Sequence, residues 1–185
     1  MKTISAVVKR LTGVIPINKI LLAIDPGNIE SGYVFIDTET YKPISYGKID
    51  NDKLEELMLS THYDYLALEM VASYGMRVGQ SVFNTCFHIG RFSQVKPNIP
   101  YDLVFRQNVK MHLLGKVAVG DSQIRDVMVH RFLTQAEMKR WGDYGKGVKA
   151  DKGMFYGFNN DIYQAYSVGV TWLDLTKQAT IPYEY

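Results

Sequence analysis

Apolar and polar positions alternate in blocks that change period along the chain. KILLAID (19–25) is an unbroken apolar run with branched side chains that stops at Pro26-Gly27, which predicts a buried strand. SGYVFIDTETYKPISYGKID (31–50) alternates, breaks at TETYKP and resumes, as a hairpin does. DKLEELMLS (52–60) has helical spacing with Asp52 near its start. DYLALEM (64–70) is a second apolar strand, ending at Glu69-Met70. GQSVFNTCFHIGRFSQV (79–95) fits a helix closed by KPNIP, and YDLVFR (101–106) fits a strand. DSQIRDVMVHRFL (121–133) is helical, with Asp121 or Ser122 as N-cap. NNDIYQAYSVGVTWLDLT (159–176) is a last helix, capped by Asn159 or Asn160 and with Asp161 in its first turn. Strands followed by alternating helices and strands predict an α/β fold, a mixed sheet covered by helices. No internal repeat or low-complexity segment interrupts the pattern.

Composition narrows the class. The 185 residues predict one domain, 1–185, with 1–18 as a possible extension. The chain is 46% hydrophobic and 22% charged, ordinary for a globule. No run approaches the roughly 18 apolar residues of a membrane span. Lys9 and Arg10 interrupt the N-terminal apolar stretch before a signal-peptide core forms, so a cytoplasmic protein is expected. The single Cys86 excludes an internal disulfide and a cysteine-based zinc site, and is expected to be a small buried apolar residue. Net charge is only +2, but its distribution is uneven. Between Glu69 and Asp121 the one acid is Asp102, against Arg77, Arg91, Lys96, Arg106, Lys110 and Lys116. A second segment, KRWGDYGKGVKADKG (139–153), mixes Lys with Gly and aromatics. Both segments suit a polyanion partner or, equally, a solvated surface.

Three acids stand out by placement. Asp25 closes a strand expected in the middle of the sheet, where an ionised carboxylate is costly unless paired or bound to a cation. Pro26-Gly27 allows a sharp turn and close backbone approach to a ligand. Glu69 has the same position near the end of YLALEM, and Asp161 opens a helix whose small residues permit close packing on the sheet. Strand ends and helix starts are where ligand sites of α/β sheets form. Oxygen donors from distant parts of the chain suit Mg²⁺ or Mn²⁺. Each acid also has a structural reading: Asp25 as a turn cap, Glu69 as the partner of an arginine, Asp161 as a favourable charge at a helix N-terminus.

At these residues the chain resembles RuvC-type Holliday-junction resolvases, nucleases of the ribonuclease H-like superfamily, in a form typical of bacteriophages. AIDPGNIESGY resembles the first catalytic strand and LALEM the second acidic strand. NVKMHLLGKVAVGDSQIRDVM resembles the segment of Val-Lys, a glycine and a helix, and DIYQAYSVGVT the final helix. The resemblance spans about residues 20–175 and rests on the order and spacing of these motifs. It implies a ribonuclease H-like mixed β-sheet flanked by α-helices. It also implies hydrolysis of phosphodiester bonds in four-way and other branched DNA with two divalent ions, Mg²⁺ with Mn²⁺ able to substitute. Asp25, Glu69 and Asp161 match the metal-binding acids. Gln164 stands where the family has its last aspartate; it offers a neutral carbonyl oxygen but no base. Lys110 matches a lysine that meets DNA. Asp121 stands where a lysine is common, and Lys116 is a candidate replacement. Further candidates for DNA contact are Arg77, Arg91, Lys146 and Lys149, with Tyr74 as a stacking wedge and Trp141 and Tyr144 in a similar role. His112 or His130 could assist proton transfer. The family is dimeric, since two symmetric nicks resolve a junction, and the helix at 79–95 has apolar surface enough for a core and a partner. The implied setting is a phage-infected bacterial cell. Two other readings keep the fold: a less selective fork or flap nuclease, and a branched-DNA-binding module that does not cut.

Overall fold

The computed structural model describes residues 19–73, 75 and 77–179. The possible extension at 1–18 and the wedge candidate Tyr74 lie outside the described residues. Five strands form one sheet: β1 (Ile20–Asp25), β2 (Glu30–Asp37), β3 (Pro43–Asp50), β4 (Tyr65–Met70) and β5 (Tyr101–Phe105). Their order is β3-β2-β1-β4-β5, so β1 is the middle strand. β2 and β3 run antiparallel to their neighbours, while β1, β4 and β5 are mutually parallel. The mixed α/β architecture expected from the pattern is therefore present.

Among the described residues there are six helices. α1 (Asn51–Ser60) and α2 (Gln80–Gln94) are followed by α3 (Arg106–Leu114), α4 (Asp121–Phe132), α5 (Gln135–Trp141) and α6 (Asn160–Ala179). The alternation of side chains along β1 explains why KILLAID is apolar throughout. Leu21 and Ala23 enter the core beneath α6, α4 and α3, whereas Leu22 and Ile24 enter the core beneath α1 and α2. All four are fully buried, and each large one contributes about 1.5–3 kcal/mol of transfer free energy. On α2, Thr85, Ile89, Phe92 and Ser93 repeat at helical spacing and face the sheet. Gly169 lets α6 lie directly on the strands. A Cβ there would stand 2.4 Å from Ile36 Cδ1 and 2.9 Å from Ala23 Cβ.

The structure identifies the helix caps, correcting one expectation and meeting another. The cap of α1 is Asp50, whose carboxylate accepts from the backbone N–H of Asp52 and Lys53. The cap of α4 is Gly120, not Asp121 or Ser122; the Gln123 side-chain oxygen accepts from the Gly120 N–H at 3.1 Å. α6 is capped by Asn159, whose side-chain oxygen accepts from the Ile162 N–H at 3.0 Å. Two helices were not expected. α3 follows β5 without a linker and has no side-chain cap to announce it. α5 carries a reciprocal Thr134–Glu137 capping box, a Thr-x-x-Glu signature visible in the sequence. After α5, β6 (Gly147–Val148) and β7 (Asp151–Lys152) pair as a short hairpin. Cys86 is partly exposed rather than buried, on the outer flank of α2. Among the described residues no helix is long and apolar enough to cross a membrane.

Candidate active site

The turn after β1 is fixed by a closed ring of hydrogen bonds. The Gly27 N–H donates to Ser31 Oγ (3.1 Å), the Ser31 hydroxyl donates to Asn51 Oδ1 (2.6 Å), and the Asn51 amide donates to the Gly27 carbonyl (3.0 Å). Ser31 and Asn51 are buried. A Cβ on Gly27 would stand 2.2 Å from the Glu30 carbonyl oxygen, so this turn needs glycine. The ring leaves Asp25 at the carboxyl end of the middle strand, pointing at a cleft instead of capping its own turn.

Glycine also brings the second acid close. Gly32 is the cross-strand partner of Asp25. A Cβ on Gly32 would lie 2.6 Å from the Asp161 carbonyl oxygen and 3.1 Å from its Cβ. The first turn of α6 thus rests on bare β2 backbone, directly opposite Asp25. A cleft of about 190 Å³ opens there, lined by Asp25, Asn28, Glu30, Lys48 and Asp161. Lys48 Nζ sits 2.9 Å from Asp161 and 3.6 Å from Glu30.

The third acid arrives from the other side. β4 lies parallel to β1, and Glu69 emerges near its carboxyl end. Glu69 meets Arg106 at 3.3 Å, and Arg106 also pairs with Asp121 at 2.5 Å. Lys110, one turn beyond Arg106 on α3, is near enough to stabilise the Glu69 carboxylate. Gln164, one turn beyond Asp161, is 4% exposed. Its amide N–H₂ approaches Asn160 Oδ1 at 3.4 Å, and its carbonyl oxygen is buried without a partner.

The electrostatics follow from this crowding. Asp25 receives no hydrogen bond among the described residues, and its carboxyl is held well above the usual range, first by burial and then by the charge of Glu69, with Asp161 and Asp121 adding to it. Glu69 is pushed up to about 7; burial is the main cause, outweighing Arg106 and Lys110, while Asp121 adds to the rise. Among the described residues no three His, Cys, Asp or Glu side chains are gathered closely enough to hold a metal ion as they stand. Glu69 is turned to Arg106 and Asp161 to Lys48.

The other sequence candidates fall into different settings. Arg77, Lys116 and Lys149 are exposed. Arg91 is held by Asp52 (3.0 Å) and Glu55 (2.7 Å), which makes it a strap between α1 and α2 rather than a free cation. Lys146 donates to the Phe158 carbonyl at 2.7 Å, beside the start of α6. Trp141 packs against Gly147 and Gly153 and props the β6–β7 hairpin, while Tyr144 is exposed. His112 does not reach the cleft. Its Nε2 lies 2.7 Å from Asp174, which also receives both terminal nitrogens of Arg131 (2.6 and 2.7 Å) and the Tyr41 hydroxyl (2.9 Å). Asp174 is thirteen residues along α6 from Asp161, about 20 Å at 1.5 Å per residue. His130 Nδ1 bonds the Asp126 carbonyl in its own helix. The sequence reading did not single out Lys48 or Arg106 for the site. The position of Arg106, directly after a strand and four residues before Lys110, was the available signal.

No family model matches the chain, and no curated protein matches it by sequence. Its fold does match solved structures. Thermus thermophilus RuvC bound to a Holliday junction superposes with a TM-score of 0.62 at 12% identity, covering 88% of this chain and 97% of that one. The yeast mitochondrial Holliday junction resolvase Ydc2 superposes with a TM-score of 0.52 at 10% identity, covering 95% and 88%. The fowlpox virus resolvase in complex with junction DNA superposes with a TM-score of 0.50 at 15% identity, covering 84% and 99%. At these identities the shared property is the fold: this chain has the architecture of RuvC, with β1 and its terminal Asp25 at the centre.

Proposed function

We propose that the protein is a divalent-metal-dependent endodeoxyribonuclease that nicks branched DNA, four-way junctions above all. One observation carries the reading: a desolvated Asp25 carboxylate at the end of the middle strand, without a hydrogen-bond donor among the described residues and within the influence of the Glu69 and Asp161 charges. A desolvated carboxylate held so either keeps its proton or takes a cation. The donors fit a hard cation: three carboxylates and the orphaned Gln164 carbonyl oxygen, all oxygen. Mg²⁺ is usually held by one or two carboxylates plus substrate phosphates rather than by an all-protein cage.

Asp25, Glu69 and Asp161 would hold Mg²⁺, with Mn²⁺ as a substitute. When bound, the ion supplies charge neutralisation and Lewis acidity at the scissile phosphate. The chain's own residues do the rest. Asp25 is the fixed point, because its strand and turn are locked. Lys48 and Arg106 pair with Asp161 and Glu69; with a cation held by those acids, the two side chains would be available to phosphate oxygens. Lys110 sits where it can neutralise the backbone beside the cut. Gln164 contributes a neutral oxygen and cannot take a proton, so base chemistry falls to the carboxylates. The similar RuvC and fowlpox virus structures are complexes with Holliday junction DNA, which supports the choice of substrate. A two-fold dimer would present two such sites to a junction's own two-fold axis. The exposed Phe83 (59%) and Phe87 (63%), one turn apart on α2, offer the apolar face for it.

The test is a nicking assay on a synthetic four-way junction with duplex, flap and fork controls in Mg²⁺ or Mn²⁺, run with Asp25→Asn beside the native protein. Paired nicks confined to the junction, lost in Asp25→Asn while junction binding persists, are expected. Cutting of all branched substrates would redirect the reading to a general fork and flap nuclease. Tight binding without any cutting would leave only a recognition module.

A further inference from the structure

A second cavity lies beside the cleft, on the opposite side of the first residues of α6. It measures about 140 Å³ and is lined by Arg125, Tyr144, Lys146, Asn159 and Asn160, with Phe158 and Tyr163 at its base. We propose that this cavity is a phosphate subsite, which takes a backbone phosphate of the same DNA strand that crosses the acid cleft.

Its chemistry selects an anion. Two cations line it and no carboxylate does. The Arg125 guanidinium stacks on the Tyr144 ring at 4.4 Å, an arrangement that fixes its plane without consuming its N–H donors. The hydrogen bond from Arg125 to the neighbouring Asp126 comes from Nε, at 3.4 Å, and uses neither terminal nitrogen. Lys146 uses one of its three N–H donors on the Phe158 carbonyl and retains two. The volume equals roughly four or five waters at about 30 Å³ each, which suits a single tetrahedral oxyanion.

The subsite is built in advance. Tyr144 is held through its carbonyl, which accepts from the Tyr163 hydroxyl at 3.3 Å. Gly145 (φ 62°) leaves no room for a side chain, since a Cβ would meet Leu133 Cδ1 at 2.0 Å. The Gly145 carbonyl accepts from the Phe155 N–H, and the Lys146 carbonyl from the Gly153 N–H, both at 3.0 Å. Phe155 is fully buried, so the loop carrying Tyr144 and Lys146 is anchored in the core. Ligands bind pre-ordered groups without an ordering cost.

Position gives the role. Asn160 lines this cavity and the next residue, Asp161, lines the cleft. A strand whose scissile phosphate lies over Asp25 and Asp161 therefore has its neighbouring backbone within reach of Arg125 and Lys146. This inference rests on the nuclease reading for its DNA ligand, but the anion site itself does not.

Two measurements on the full chain separate these. In the first, ¹⁵N NMR follows a titration with inorganic phosphate against chloride at matched ionic strength. Phosphate-specific shifts at Arg125 Nε and the Lys146 amide, absent in Arg125→Gln, are expected; their absence overturns the subsite whatever the enzyme cuts. In the second, junction binding in EDTA is measured against salt for the native protein, Arg125→Gln and Arg125→Lys. One lost phosphate contact lowers the slope of log Kd against log salt by about 0.9 for Arg125→Gln, while Arg125→Lys keeps the slope. An unchanged slope in Arg125→Gln, or a native protein that takes phosphate but no DNA, overturns the assignment to the DNA strand. A merely structural role for Arg125 would lower the melting temperature and leave the slope alone.

Discussion

Replacing Glu69 by Gln should make the protein more stable as it makes it less able to bind metal. Glu69 has 12% side-chain exposure, and its carboxyl rises from an ordinary 4.5 to about 7. A folded value above the unfolded one means that the folded chain keeps the proton longer. Stability is then highest below the unfolded value and declines as pH climbs toward the folded one. At 1.36 kcal/mol per tenfold, the decline by neutral pH is on the order of 3 kcal/mol. Gln cannot ionise, keeps an oxygen for Arg106 and escapes this loss. In EDTA near neutral pH, Glu69→Gln should therefore melt about 6–12 °C higher, at roughly 2–4 °C per kcal/mol for a chain of this size. In acid below the unfolded value the two proteins should converge. Mg²⁺ should act the other way: at ten times its Kd it stabilises the native protein by about 1.4 kcal/mol, and the variant by less. Calorimetric melts across that pH range, with and without Mg²⁺, measure all of this. A variant that melts at or below the native protein near neutral pH, or that gains as much from Mg²⁺, would refute the view of Glu69 as an acid destabilised by burial and awaiting a cation.

Two further outcomes follow from other contacts. Gly32→Ala places a methyl 2.6 Å from the Asp161 carbonyl oxygen, so it should cost about 1–3 kcal/mol in urea denaturation and abolish cleavage by parting Asp25 from Asp161. Asp174→Asn should cost about 3–5 kcal/mol, because it strips a buried carboxylate from Arg131; hydrogen bonds from Arg131 and His112 hold that carboxyl far below the usual range against the cost of burial. Its stabilising effect is therefore complete at neutral pH and fades as pH drops below the unfolded carboxylate value, so the gap between native and variant should shrink in acid.

Much of this architecture was legible because hydrophobic period reports burial. The continuous run in β1 belongs to a strand buried on both faces, and the alternation after it marks a hairpin. Asp25 and Glu69 stood out because a carboxylate at the end of an apolar strand contradicts its surroundings, and Asp161 stood out only by its place in the first turn of a helix. What stayed hidden was set by partners distant in sequence. Nothing in the local pattern around Arg91 reveals that Asp52 and Glu55 claim it, nor that Asp174 draws His112 away from the cleft. Lys48 sits on a partly exposed strand, and only the fold turns it toward Asp161. α3 has no N-terminal side-chain cap and no long apolar stripe, so packing rather than propensity makes it a helix.

Gly169 has a bearing on the cleft that its distance from it conceals. It lies eight residues along α6 from Asp161, about 12 Å away, at the point where the helix touches Ala23 and Ile36 almost backbone to side chain. Any atom added at that seat works as a shim under a stiff rod. The rod tips, and its free end carries Asp161 sideways relative to Asp25. The spacing of Asp161 from Asp25 is thus set partly from the middle of the helix, by a side chain missing far from the cleft.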